Sequence, residues 1–301
     1  MINADETFDG TWPFEARFFE GAGFRQHYVD EGSGEPIVCL HGEPTWGYLY
    51  RNMIAPLAAH NRVIVPDHMG FGKSETPLDR TYTLQTHTEN LAALIEHLDL
   101  TDITFVIQDW GGPIGTAYAI RHPERVKRMV YMNTVNGYGR ISRDLPSPNE
   151  SRWFQWIGAG MDSGRTEQVL RNAGSTVLSV MKIIGFNSAV DDTWIRAYSE
   201  QFPDWDSSIG AYEFPIDAYL GRIRDYIRSA DDGLAALAAK PAILLEGLDD
   251  QAIDPRRAIA DFRGVWPDGP VVELEGVGHF CQEDAPDMLV ANIRQFLQAN
   301  P

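Results

Sequence analysis

Apolar residues along this chain come in short runs separated by turn residues or by amphipathic stretches. Ile37–Leu40 follows Gly32-Ser33-Gly34 and reads as a buried strand. Tyr48–His60 reads as a helix and Val63–Pro66 as a second strand. Leu91, Leu94, Ile95 and Leu98 stand at i, i+3, i+4 and i+7, which lays one apolar stripe along a helix. Ile103–Ile107, with β-branched and aromatic residues, predicts a strand, Gly112–Arg121 a helix and Val126–Met132 another strand. The alternation resumes with a strand at Ala242–Glu246, a helix near Pro255–Phe262, a strand at Val271–Leu274 and a last helix from about Asp284. Asp284 can cap that helix, and Pro286 falls in its first turn, where a missing N–H costs nothing. Strand–helix alternation of this kind predicts an α/β fold with a mostly parallel, doubly wound sheet.

Between about Asn136 and Tyr226 the strand signals stop. The stretch holds Trp153, Trp156, Trp194 and Trp205, helical patterns, and breaks at Pro203 and Pro215. A structureless loop of that length is improbable in a compact domain. The pattern predicts a helical cap inserted after the strand at 126–132. The expected division is a first core segment at 1–135, the cap at 136–226 and a second core segment at 227–301.

Composition then narrows the class. The chain has 301 residues, 44% hydrophobic and 23% charged, a mix that folds compactly rather than staying disordered. Its net charge of −18 argues against nucleic acid or an anionic membrane as a partner, since both call for a basic face. Two cysteines, Cys39 and Cys281, make no disulfide framework, and no Cys/His cluster suggests a metal. The first residues lack the apolar core of a signal peptide, and no apolar run approaches the roughly 18 residues of a membrane span. A cytoplasmic setting is expected.

The strongest local motif is Val106-Ile107-Gln108-Asp109-Trp110-Gly111-Gly112, at a strand end that opens a helix. A sharp strand-to-helix turn of this kind can hold a side chain out above a sheet. Asp109 would be that side chain, and a carboxylate is ionised at neutral pH without help from a base. The residues alone leave a second reading open, in which Asp109 only caps the helix. His41-Gly42-Glu43-Pro44-Thr45-Trp46 follows the strand at 37–40, where the backbone N–H groups of Glu43 and Trp110 could form an oxyanion hole. Gly247-Leu248-Asp249-Asp250 and Gly276-Val277-Gly278-His279-Phe280 follow two later strands. In an open α/β sheet both would reach the edge that carries Asp109, in the chain order nucleophile, acid, histidine.

On these residues the chain resembles the α/β-hydrolase superfamily and, within it, the first subfamily of haloalkane dehalogenases. His-Gly-Glu-Pro-Thr-Trp and Gln-Asp-Trp-Gly-Gly carry the resemblance, which runs from about Phe24 to the C-terminus. It extends to Ala197–Asp204 and to Gly210-Ala211-Tyr212-Glu213-Phe214-Pro215, with Glu200-Gln201 standing where that family usually has Ala-Pro. Epoxide hydrolases, near relatives, share Asp-Trp-Gly-Gly.

The resemblance implies that Asp109 displaces halide from an sp³ carbon, forming an alkyl ester. It implies that His279, oriented by Asp250, activates water to hydrolyse that ester. Asp250 fills the last place of the family's Gly-x-x-Asp, ahead of Asp249 and Asp254. The acid position used in related enzymes is Asn133 here, which supplies no charge. Trp110 and a cap tryptophan, Trp156 before Trp153, are the expected indole donors to halide. No cofactor or metal is implied. The expected partners are a small apolar organic substrate, water and the halide product, with the protein a monomer or homodimer. The rival is an epoxide hydrolase drawing a phenol donor from Tyr138, Tyr198, Tyr212 or Tyr219. A catalytically silent binding protein would lack one of the three central residues, and all three are present.

Overall fold

The computed structural model describes residues 1–138, 152–171, 181 and 190–301. Eight strands form one sheet: β1 (Arg17–Phe19), β2 (Gln26–Gly32), β3 (Pro36–Leu40), β4 (Arg62–Pro66), β5 (Ile103–Gln108), β6 (Val126–Met132), β7 (Ala242–Gly247) and β8 (Val271–Leu274). Their spatial order is β1-β2-β4-β3-β5-β6-β7-β8. The pairs β1/β2 and β2/β4 are antiparallel and every other pair is parallel. β5 is buried at all six positions, as a central parallel strand covered on both faces should be.

The strands from β3 onward match the hydrophobic pattern. The antiparallel pair β1/β2 is not legible in it. β2 places Gln26 and His27 in the interior, where His27 Nδ1 meets Asp67 Oδ2 at 2.8 Å. A satisfied buried polar pair breaks the alternation that marks a strand.

The helices of the first half are α1 (Arg51–Ala58), α2 (Leu84–His97) and α3 (Gly111–Arg121). α1 is shorter than the helix expected over 48–60, because Gly47–Tyr50 forms a tighter 3-10 turn ahead of it. Thr83 caps α2 by accepting from Thr86 N–H, and Leu91, Leu94 and Ile95 bury the expected stripe. Between β6 and β7 every described element is helical: α4 (Arg152–Ser163), α5 (Thr166–Arg171), α6 (Asp192–Ser199), α7 (Ile209–Tyr219), α8 (Arg222–Arg228) and α9 (Leu234–Ala238), with short 3-10 turns. The helical expectation for 139–151, 172–180 and 182–189 lies outside the described residues. α8 runs across position 226 and packs on α3.

The C-terminal region holds α10 (Pro255–Arg263), the single turn α11 (Cys281–Asp284) and α12 (Pro286–Ala299). One expectation is corrected here. Asp284 does not cap α12: Ala285 stands at that place, without a side-chain bond. Asp284 ends α11 and accepts from Gly278 N–H at 2.9 Å. Pro286 opens α12, as its missing N–H allows.

One ion pair ties three elements together. Arg51 of α1 donates to Glu283 of α11 through two parallel bonds of 2.6 and 2.7 Å, and Tyr198 of α6 donates to the same carboxylate at 2.6 Å. Glu283 is almost wholly buried. Removing the guanidinium leaves a buried anion without its cation, which costs about 3–5 kcal/mol. Arg51→Met should therefore lose that much in denaturant-induced unfolding, and Tyr198→Phe about 1.5–3 kcal/mol. A loss below about 1 kcal/mol for Arg51→Met would mean that the pair is better solvated than its burial implies.

Candidate active site

The order β4-β3-β5 holds a topological reversal. The chain leaves β3 to one side to form β4, then returns past β3 to form β5 on the other. The connections after β3 and β5 diverge there and leave a crevice at the carboxyl ends of the strands. Glu43 follows β3 and Asp109 follows β5, so both arrive at this crevice.

Asp109 has φ of 49°, in the left-handed region. Asp tolerates it better than most residues, yet a non-glycine backbone there still costs about 1–3 kcal/mol. Neighbours hold it in place. The Asp109 carbonyl accepts from Gly112 N–H at 3.0 Å and from the Thr134 hydroxyl. Close approach needs bare backbone on both sides: a Cβ on Gly111 would lie 2.2 Å from the Leu40 carbonyl, and one on Gly42 would lie 2.0 Å from Asp109 Oδ1. Of the two readings of Asp109, the geometry favours the exposed elbow. Trp110 occupies the N-cap of α3, without a side-chain cap bond, and the Asp109 carboxylate reaches across to the loop after β3.

There Glu43 N–H donates to Asp109 Oδ1 at 2.8 Å. His279 Nε2 lies 3.2 Å from Asp109 Oδ2, and His279 Nδ1 lies 2.8 Å from Asp250 Oδ2. The His279 and Asp250 side chains are closed to solvent, and that of Asp109 keeps 17% of its surface exposed. Asp250 is held by Ala252 N–H at 2.7 Å, Ile253 N–H at 2.9 Å and Asn133 Nδ2 at 3.0 Å. Asn133 thus supplies an amide that orients the acid, and it also brackets Gly247 through that residue's N–H and carbonyl. The alternatives for the acid lie elsewhere: Asp254 caps α10, and Asp249 is exposed.

The β3 loop is rigidly held. His41 Nε2 accepts from His68 N–H at 3.0 Å, Thr45 Oγ1 donates to the Gly42 carbonyl at 2.9 Å, and Gln201 Nε2 donates to the Pro44 carbonyl at 2.8 Å. Trp46 Nε1 donates to the Ala197 carbonyl at 2.8 Å and ties the loop to α6.

Charge is unevenly distributed in this cluster. Burial alone would lower the pKa of His279, but Asp250, and then the contact with Asp109, reverse that and hold it up at about 10. Burial, and next the Asp109 carboxylate, push Glu43 well above the usual carboxylate range, with His279 opposing. Burial and Asp250 do the same to Glu246 at the end of β7, whose two side-chain oxygens find no hydrogen-bond partner among the described residues. Both shifts favour the un-ionised acid. Among the described residues no group of three or more His, Cys, Asp or Glu side chains is arranged to hold a metal ion. Among the described residues no helix is long and apolar enough to cross a membrane.

The aromatic residues divide. The Trp110 ring is buried and stacks on Phe214 of α7 at 4.2 Å between centroids. Trp156 lies apart on α4, 39% exposed, its ring stacked on Trp153 at 5.2 Å. Among the described residues Trp110 and the pair Trp153/Trp156 make separate ring contacts. The tyrosines are also largely engaged: Tyr138 donates to Asp231 at 2.6 Å and Tyr198 to Glu283. Tyr212 and Tyr219 pack on the apolar cluster of Ile157, Leu170 and Ile216. Three participants are not evident from the motifs: the side chain of Glu43, Phe214 and Gln108, whose amide nitrogen lies 3.1 Å from the His279 carbonyl. All three stand inside motif stretches, but no periodicity distinguishes them from their neighbours.

A nucleophilic carboxylate, a histidine poised over it and an acid behind the histidine can perform covalent hydrolysis in two steps. Comparison with known proteins agrees with the fold. The family model described as the alpha/beta hydrolase fold matches residues 35–286. A haloalkane dehalogenase of Mycolicibacterium paratuberculosis is 37% identical, over 96% of this chain and 94% of its own length. A cis-3-alkyl-4-alkyloxetan-2-one decarboxylase of Shewanella oneidensis is 33% identical, over 96% and 90%. Among solved structures, the tetrameric haloalkane dehalogenase DpaA of Paraglaciecola agarilytica superposes with a TM-score of 0.77 at 27% identity, covering 99% of this chain and 97% of that one. The chain therefore belongs to the alpha/beta hydrolase fold family and is a haloalkane-dehalogenase-like member of it.

Proposed function

We propose that the protein hydrolyses a haloalkane to an alcohol and halide through an ester on Asp109. The observation that carries this reading is the unbroken Asp109–His279–Asp250 contact at the sheet's switch point, with Glu43 N–H on the nucleophile. The substrate is a small apolar molecule lying between the core, 1–135 and 227–301, and a helical cap at 136–226. In the first step an Asp109 oxygen bonds to the sp³ carbon as the carbon–halogen bond breaks and its electron pair leaves with the halide. Trp110 Nε1 is the proposed donor to that anion, since an indole N–H carries no acceptor to repel it.

In the second step His279 takes a proton from water, and the hydroxide adds to the ester carbonyl carbon. The oxyanion so formed is met by the N–H groups of Glu43 and Trp110. Collapse expels the alcohol with one of the water's protons, and the other passes through His279 to solvent. The electrostatics support this order of events. In the free enzyme two carboxylates hold His279 up; esterification neutralises Asp109 and moves the ring's pKa down, toward its base form.

A second reading has specific support in the decarboxylase relative, whose named substrate is a strained four-membered ring lactone. Glu43 beside Asp109, whose acid form burial favours, would in that form give an O–H donor to a ring oxygen. An epoxide would draw on the same donor.

His279→Phe, incubated with a short 1-bromoalkane, should gain the mass of the alkyl group on Asp109, and further replacement of Asp109 by Asn should abolish the gain. An adduct only with an oxetan-2-one or an epoxide would move the assignment to that substrate. No adduct with any of the three would exclude Asp109 as nucleophile toward them. Bromide should quench tryptophan fluorescence in the unmodified protein, and Trp110→Phe and Trp156→Phe should each weaken that quenching. Unchanged quenching in Trp156→Phe would remove that residue from the halide site.

A further inference from the structure

Gln108 is the last residue of β5 and is fully buried. Its side-chain nitrogen lies 3.1 Å from the His279 carbonyl oxygen and 3.3 Å from His279 Nε2. A carbonyl oxygen only accepts, so it fixes which end of the amide faces the histidine. The NH₂ group has two hydrogens, one for the carbonyl and one directed at Nε2. The amide oxygen, on the far side, is buried and has no partner among the described residues. Leaving an acceptor so placed costs free energy, and the arrangement spends that cost on turning both N–H bonds toward one histidine.

We propose that Gln108 is a positioning residue for the base: its amide N–H, set against Nε2 and the His279 carbonyl, disfavours the imidazolium that the two carboxylates favour and turns the ring toward its neutral, basic form. An imidazolium would present Nε2–H to a second donor, whereas the neutral ring presents an acceptor. Nδ1 faces Asp250, which accepts its hydrogen and leaves Nε2 as the basic nitrogen. Gln108 thus opposes the two carboxylates on the same ring. The titratable groups that act on His279 come from three neighbouring loops and strands: Glu43 after β3, Asp109 after β5, and Glu246 and Asp250 from β7 and its loop, with Cys281 two residues further on in α11. In that anion-rich setting, Gln108 is the amide that touches the ring nitrogen and favours proton loss.

This inference rests on the proposed two-step reading for its kinetic consequence but not for its central measurement. Ring-nitrogen NMR of His279, titrated in the substrate-free protein, reads the effect directly. Gln108→Met, close in volume and without donors, should raise the His279 titration midpoint by about one unit or more, a tenfold shift toward the imidazolium. Gln108→Glu should raise it further. Circular dichroism melting of both variants establishes that they are folded. An unchanged or lowered midpoint in a folded variant overturns the proposal, whatever the substrate.

The kinetic arm follows the ester by intact mass during turnover of a bromoalkane, with His279→Phe alongside. Gln108→Met should accumulate the ester tenfold or more above the unmodified protein, with hydrolysis recovering as pH rises. Equal slowing of ester formation and hydrolysis would mean a general packing role and would overturn the proposal. Failure of His279→Phe itself to form an adduct would count against the dehalogenase reading and leave the titration to decide on Gln108.

Discussion

The left-handed turn at Asp109 is the constraint on which the site depends. A residue with φ of 49° at the end of a fully buried strand cannot continue the strand and does not enter the helix as its cap. It projects its carboxylate into the space between two diverging loops. Everything that touches it is arranged to make that conformation tolerable. Bare backbone at Gly42 and Gly111 admits the turn, and Thr134 and Gly112 hold its carbonyl. Reversal of the strand order on either side of β3 makes the space itself.

Around this turn, charge is managed by burial. Four carboxyl groups lie close to His279, but Glu43 and Glu246 are pushed toward the acid form. That leaves two carboxylates on one imidazole, in different surroundings. Asp109 is partly open to the crevice, whereas Asp250 is sealed and held by Asn133 and two backbone N–H groups. Burial thus sets groups of identical chemistry apart in charge and in access to the crevice. The −18 net charge plays little part in this, since most of the acidic residues lie away from the site.

Much of this architecture is legible in residue order. β3 to β8 are apolar runs bounded by turn residues, and Asp109, Asp250 and His279 each sit just past a strand end, where a parallel sheet gathers such positions at one edge. β1 and β2 are hidden because Gln26 and His27 are buried polar residues whose partners lie about 40 residues away. Asp284 has the local sequence of a cap, but its bond to Gly278 is made by the fold, not by local propensity. The tryptophans show the same limit. Trp110 is fixed by the elbow, but the place of Trp156, stacked on Trp153, depends on how α4 packs. Gln108 and Glu43 stand inside the motifs, yet their side-chain roles depend on a carbonyl from residue 279 and a carboxylate from residue 109, contacts that no spacing rule supplies.

The central claim is that the oxygen delivered to the substrate comes from Asp109 and is replaced from water. A single turnover in ¹⁸O-labelled water, with enzyme in excess over a bromoalkane, tests it directly. The first-turnover alcohol should carry unlabelled oxygen, with one ¹⁸O retained in the Asp109 carboxylate. An alcohol labelled in the first turnover, with Asp109 unlabelled, would mean that water attacks the substrate itself and would contradict the proposed mechanism.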